Sequence, residues 1–156
     1  MKISDILDES LVKTDLPGKT KDEVLSQMVD LVSTSKKVID KEKVKEAIFD
    51  REKIMSTGVG NGFAIPHGKT EAVSDIVAAF AITAEPIDYQ SLDEQPVRLV
   101  FLLVGKDSMV GPHIKLLSRI SRLMNKEEFR KKLLTSGSSK EVLEIFRAEE
   151  ATYFDN

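Results

Sequence analysis

Polar and apolar positions alternate along this chain with two distinct periods. Thr20 and Glu23 form a capping box ahead of Val24, Leu25, Met28, Leu31 and Val32, a spacing that predicts an amphipathic helix over 21–34. Asp40 caps a second helix, over about 41–55, whose apolar phase runs through Val44, Ala47, Ile48 and Met55 and stops at Ser56-Thr57-Gly58. A third follows Gly111-Pro112, with Leu116, Leu117, Ile120, Leu123 and Met124 on one side. A shorter helix is predicted over 126–134, and Ser138 or Ser139 caps a last one through Val142, Leu143 and Phe146. Residues 63–65, 76–83 and 97–104 are instead short, almost wholly apolar runs, as expected of strands covered on both faces in an α/β sheet. A turn-like piece at 4–7 and a strand at 11–14 precede them, and Glu85-Pro86 and residues 91–95 supply connections. The stretch 151–156 has no pattern and is expected to fray.

Composition narrows the class. A chain of 156 residues is one domain's worth, and 41% hydrophobic with 31% charged residues describes an ordinary soluble globular protein. The net charge of −3, with both signs mixed, argues against nucleic acid as a partner. Without cysteine there are no disulfides, thiolate nucleophiles or cysteine zinc sites, and with two histidines a metal site would have to be carboxylate-rich. No basic segment leads into an apolar one at the N-terminus, and no apolar run approaches about 18 residues, so a cytoplasmic protein without membrane insertion is expected.

The densest signal lies at 56–70, where Gly58, Gly60 and Gly62 lead through Phe63, Ala64 and Ile65 to Pro66-His67-Gly68. Glycines there allow close backbone approaches and exposed N–H groups. Pro66 removes a ladder donor and should leave His67 at a strand end, as a ligand-facing imidazole or as a histidine that merely follows a turn. Gly62 to Thr70 misses the phosphate-loop spacing by one residue, and the glycines follow a helix and precede a strand, the reverse of a dinucleotide fingerprint. Arg51, three after Ile48 and seven after Val44, falls on the apolar stripe of its helix, where its charge either snorkels outward or meets a partner such as phosphate. His113 opens the third long helix on its inward side, where it could simply bond nearby backbone; that helix start disfavours an imidazolium and favours an anion.

Arg51, Ser56-Thr57-Gly58, the run from Gly60 to Gly68 and Gly111-Pro112-His113 together closely resemble the mannitol/fructose-type enzyme IIA domain of the bacterial sugar phosphotransferase system, a branch that includes nitrogen-regulatory IIA proteins. The resemblance covers nearly the whole chain. It implies a single α/β domain over residues 1–150, with a mixed β-sheet flanked by helices on both faces, and a C-terminal tail at 151–156. It further implies that His67 accepts a phosphoryl group from the phosphocarrier protein, through its ε2 nitrogen, with Arg51 facing the phosphate and His113 beside it. The residues themselves leave the choice of nitrogen open. No cofactor or metal is required for such a transfer, in which the protein aligns donor and acceptor and holds charge on the equatorial oxygens. Ser56, Thr57, Gly58, Gly60 and Asn61 are the candidate phosphate-positioning set. Downstream, a fructose/mannitol-class IIB component or, in a regulatory protein, a set of binding targets would be the partner. A metal site built on the two histidines is a weaker expectation, since no ligand spacing supports it. Val59, Met109 and Val110 are candidates for an apolar docking rim.

Overall fold

Two long apolar strands form the centre of the fold in the computed structural model, which describes residues 1–154. β5 (Val77–Ile87) and β6 (Val97–Gly105) pair antiparallel with Phe80 opposite Phe101. β1 (Val12–Leu16) runs parallel to β5, while β3 (Phe63–Ala64) and β4 (His67–Lys69) both run parallel to β6. β2 (Gly58–Gly60) is antiparallel to β3 at the edge, which gives the order β1-β5-β6-β3-β2 with β4 also on β6. The sheet is therefore mixed.

Successive residues of β5 from 77 to 83 are buried whichever way they point, so both faces must be covered. On one side α2 (Lys21–Val32) packs on β5 and on α3 (Lys41–Ile54), which itself lies against β4. A second group, α1 (Ile3–Ile6), α4 (Val110–Met124), α5 (Glu127–Leu134) and α6 (Ser139–Tyr153), makes its own mutual contacts, with α6 on β1 and α4 on β6. Phe80 and Phe101 meet Phe146 of α6 at ring distances of 5.3 and 5.8 Å. Edge-on packing of this kind adds to the area term.

The N-caps read from sequence are made, but the Thr20–Glu23 capping box is only half formed, because the Glu23 carboxylate takes the Lys19 N–H at 3.4 Å rather than that of Thr20. Thr20 accepts from the Glu23 N–H at 3.2 Å, Asp40 accepts from Glu42 and Lys43, and Ser138, rather than Ser139, accepts from Glu141. Three expectations need correction. Glu85-Pro86 is not a connection: β5 continues to Ile87 through a register shift after Ile82, and such a bulge accommodates a residue that lacks an N–H. α4 starts at Val110, ahead of Gly111-Pro112, because proline fits a first turn whose N–H groups lack intrahelical partners. The expected fraying tail is helical through Tyr153, and Phe154 lies 4.6 Å from the Arg119 guanidinium; Asp155 and Asn156 fall outside the described residues.

Candidate functional site

His67 is held by a strand that breaks and resumes. β3 ends at Ala64, Ile65 and Pro66 cross the gap, and His67 opens β4 opposite Leu103 on the same neighbour, β6. Pro66 thus interrupts the ladder rather than ending it, and its carbonyl still accepts from the Leu103 N–H at 3.0 Å. Nδ1 of His67 is 2.7 Å from the Ile65 carbonyl oxygen. A carbonyl only accepts, so Nδ1 carries the proton and Nε2 carries the free lone pair. Burial holds the half-buried imidazole below its usual pKa; the Ile65 bond and the Glu52 charge oppose that shift, and Arg51 and Lys69 reinforce it.

His113 lies beside it, with ring centroids 5.9 Å apart and planes inclined by 58°. It is 1% exposed, and neither ring nitrogen has a hydrogen-bond partner among the described residues. Space for the ring comes from Gly105, where a Cβ would stand 3.0 Å from His113 Nδ1. Burial first, then the charges of His67 and Lys69, push its pKa down to about 4. Near neutral pH both imidazoles are therefore uncharged nitrogen bases.

Arg51 is half-buried on the last turn of α3, and its Nη1 donates to the Met55 carbonyl at 3.0 Å, close enough to His67 for its charge to act on the ring. The buried charge of that helix is its neighbour. Val44, Ile48 and Glu52 form the buried stripe, and the even spacing of four could have revealed Glu52 in the sequence.

The donors of the glycine-rich segment turn out to have internal partners. Thr57 donates both its N–H, at 2.9 Å, and its hydroxyl to Glu52. The Gly58 N–H donates to Ser56 Oγ, whose own hydroxyl donates to the Tyr89 carbonyl, and the Asn61 N–H donates to Asp93. Gly60, at φ +124°, pairs with Phe63 across the hairpin, and a Cβ on Gly58 would collide with Ser91 and the Tyr89 ring. The N–H groups of Thr57, Gly58 and Asn61 are thus engaged within the segment that leads to His67. Among the described residues no three His, Asp or Glu side chains are grouped to hold a metal, and no helix is long and apolar enough to cross a membrane.

The mixed sheet thus carries one imidazole on a resumed strand and a second in the first turn of a helix. Residues 5–149 match the family model described as "Phosphoenolpyruvate-dependent sugar phosphotransferase system, EIIA 2", and the chain belongs to that family. It is 39% identical over 145 residues to the fructose-specific EIIABC component of Bacillus subtilis, covering 93% of this chain but 23% of that protein, so it spans about a quarter of that relative's length. It is 35% identical to the fructose-specific EIIA component of Haloferax volcanii, with 92% of this chain and 93% of the relative covered. The crystal structure of the nitrogen regulatory protein IIA-Ntr from Neisseria meningitidis superposes with a TM-score of 0.86 at 32% identity, over 92% of this chain and 98% of that one.

Proposed function

We propose that His67 is the phosphoryl acceptor of this IIA domain, taking the group on Nε2 from the phosphocarrier protein and passing it to a fructose/mannitol-class IIB component. The observation that carries this reading is the Nδ1–H bond to the Ile65 carbonyl, which leaves Nε2 as the nucleophile. Its lone pair forms the new N–P bond as the bond from phosphorus to the donor breaks, and that electron pair stays with the donor. Arg51, Lys69 and the unpaired nitrogens of His113 supply positive charge and hydrogen-bonding capacity for the transferring oxygens. Ser56, Thr57, Gly58, Gly60 and Asn61 contribute by supporting and positioning the segment that holds His67. Incubation with phosphoenolpyruvate, enzyme I and the phosphocarrier is expected to label one acid-labile, base-stable position that maps to His67. Label that persists on a folded His67→Ala protein would overturn the assignment.

The likeness to IIA-Ntr favours a second reading, in which the same phosphorylation controls binding to regulatory targets. Candidate IIB domains separate the two. Transfer from the phosphorylated protein to one of them supports transport, and transfer to none supports regulation.

A further inference from the structure

Glu52 is a carboxylate at 8% exposure, and no step proposed above uses it. A charge so enclosed is costly unless its lone pairs are occupied. Here Lys21 Nζ stands 2.9 Å from Oε2, the Tyr89 hydroxyl donates to Oε1 at 3.0 Å, and Thr57 donates twice, through its N–H and its hydroxyl. Burial raises the carboxyl's pKa, but the Thr57 donors and Lys21 together outweigh it, so the group stays ionised with a value below the usual one. Two of its contacts belong to one residue, so Glu52 fixes the backbone of Thr57 as well as its side chain.

Besides the β6 pairing, the His67 segment is held through Thr57. Its carbonyl accepts from the Ile65 N–H at 3.0 Å, and the Ile65 carbonyl accepts from Nδ1–H of His67 at 2.7 Å. We infer that Glu52 is a positioning residue for the His67 imidazole, setting its tautomer and orientation through Thr57 and Ile65 so that Nε2 remains the free nitrogen. This inference rests on the reading of His67 as the acceptor. An apolar residue could fill the same space at less cost, but it could not hold the Thr57 N–H and hydroxyl together. The negative charge has a second effect, because it opposes the positive charges that lower the basicity of His67. The charged and titratable groups that face the ring are Arg51 and Glu52 from α3, Lys69 from β4 and His113 from α4.

With two histidines in the chain, ring-nitrogen NMR shifts of a protein carrying 15N-histidine report each imidazole separately. Glu52→Gln is expected to lower the Nδ1–H tautomer share of His67, move its titration midpoint further down, and slow phosphoryl uptake about tenfold, the scale seen when a partner that orients a functional imidazole is lost. The labelled site should not change. A folded Glu52→Gln protein with the wild-type tautomer share would overturn the inference, since a carboxylate that only stabilises the fold would leave the ring unaffected. If that variant does not fold, Thr57→Val, which keeps the shape and removes the hydroxyl, is expected to lower the tautomer share by a smaller amount. An unchanged share in Thr57→Val would then overturn it. The ring shifts need no phosphoryl donor, so a wild-type protein unlabelled at His67 would overturn the proposed function while NMR still decides the relay.

Discussion

The His67 and His113 imidazoles face each other at 5.9 Å, yet they are held in opposite ways: His67 is bonded through Nδ1 to the Ile65 carbonyl, and His113 has no hydrogen-bond partner on either nitrogen among the described residues. The bonded ring has a defined nucleophilic nitrogen. The unbonded one is buried with donor and acceptor capacity unused, which suits it to meeting an oxygen of the group in transit. His113→Ala is therefore expected to keep His67 as the single labelled position and to slow phosphoryl exchange on the order of 10²-fold, as when one oxyanion donor is removed. Rapid-quench exchange with peptide mapping checks both parts. An unchanged rate would make His113 structural, and label on His113 in the wild type would exchange the two roles.

The lowered pKa of His67 sets the pH dependence of uptake. On the function proposed above its neutral form is the nucleophile, so the acid-side midpoint of the rate should lie below the ordinary imidazole value of about 6.5, with the rate close to its plateau at neutral pH. A rate that still climbed between pH 7 and 8 would contradict this.

His113 links pH to stability. Its folded pKa of about 4 lies below the ordinary 6.5, so between those values the unfolded chain binds the extra proton and stability declines as pH falls. Its contribution is fully present above 6.5. Between pH 7 and 5 the loss should be about 2 kcal/mol from this residue. Glu52 acts in the same direction but at lower pH, because its folded pKa is depressed from 4.5. Denaturant midpoints at the two pH values test the assignment; because the lowered pKa of His67 adds a loss of the same sign, His113→Gln should shrink the difference without abolishing it.

The capped starts of α2, α3 and α6 and the apolar centres of the two long strands were legible because their signals are local. Thr20, Asp40 and Ser138 lie within a few residues of the N–H groups they cap, and the runs in β5 and β6 are long enough to read as buried. His67, Arg51 and His113 were legible as a set through the motif. What was missed depends on partners distant in the chain. β4 exists because residues 67–69 pair with 103–105, and the glycine segment's donors are taken by Asp93 and by Glu52 acting with Tyr89. Arg51 was read as the charge on the apolar stripe, whereas the buried charge of that stripe is Glu52, which went unread.

Gly105 should be intolerant of a methyl group. A Cβ there would stand 3.0 Å from His113 Nδ1 and 3.3 Å from Ile76 Cγ1, so Gly105→Ala pushes the imidazole or the Ile76 side chain aside by a few tenths of an ångström. A stability loss of about 1–3 kcal/mol is expected from overpacking, together with slower phosphoryl exchange. Thermal unfolding and exchange rates measure the two separately. A wild-type exchange rate would show that the exact placement of His113 does not matter for transfer.

The apolar surface near the histidines concerns partner docking. Val59 and Val110 are 48% and 42% exposed, as a rim requires, but Met109 is partly buried against the core, so Met109→Asp would confound docking with folding. Val110 is the first residue of α4, three positions before His113, and Ile114 on the next turn is also exposed. An aspartate at a helix start is favoured by the N-terminal dipole, so Val110→Asp should leave thermal unfolding unchanged within about 0.5 kcal/mol. A partner that buries this side chain would meet an unpaired carboxylate instead, and loss of at least tenfold in phosphocarrier affinity is expected, equivalent to about 1.4 kcal/mol. Titration calorimetry on wild type and variant provides the comparison. Equal affinity would remove Val110 from the rim and leave Val59, on the β2 edge, as its remaining exposed candidate.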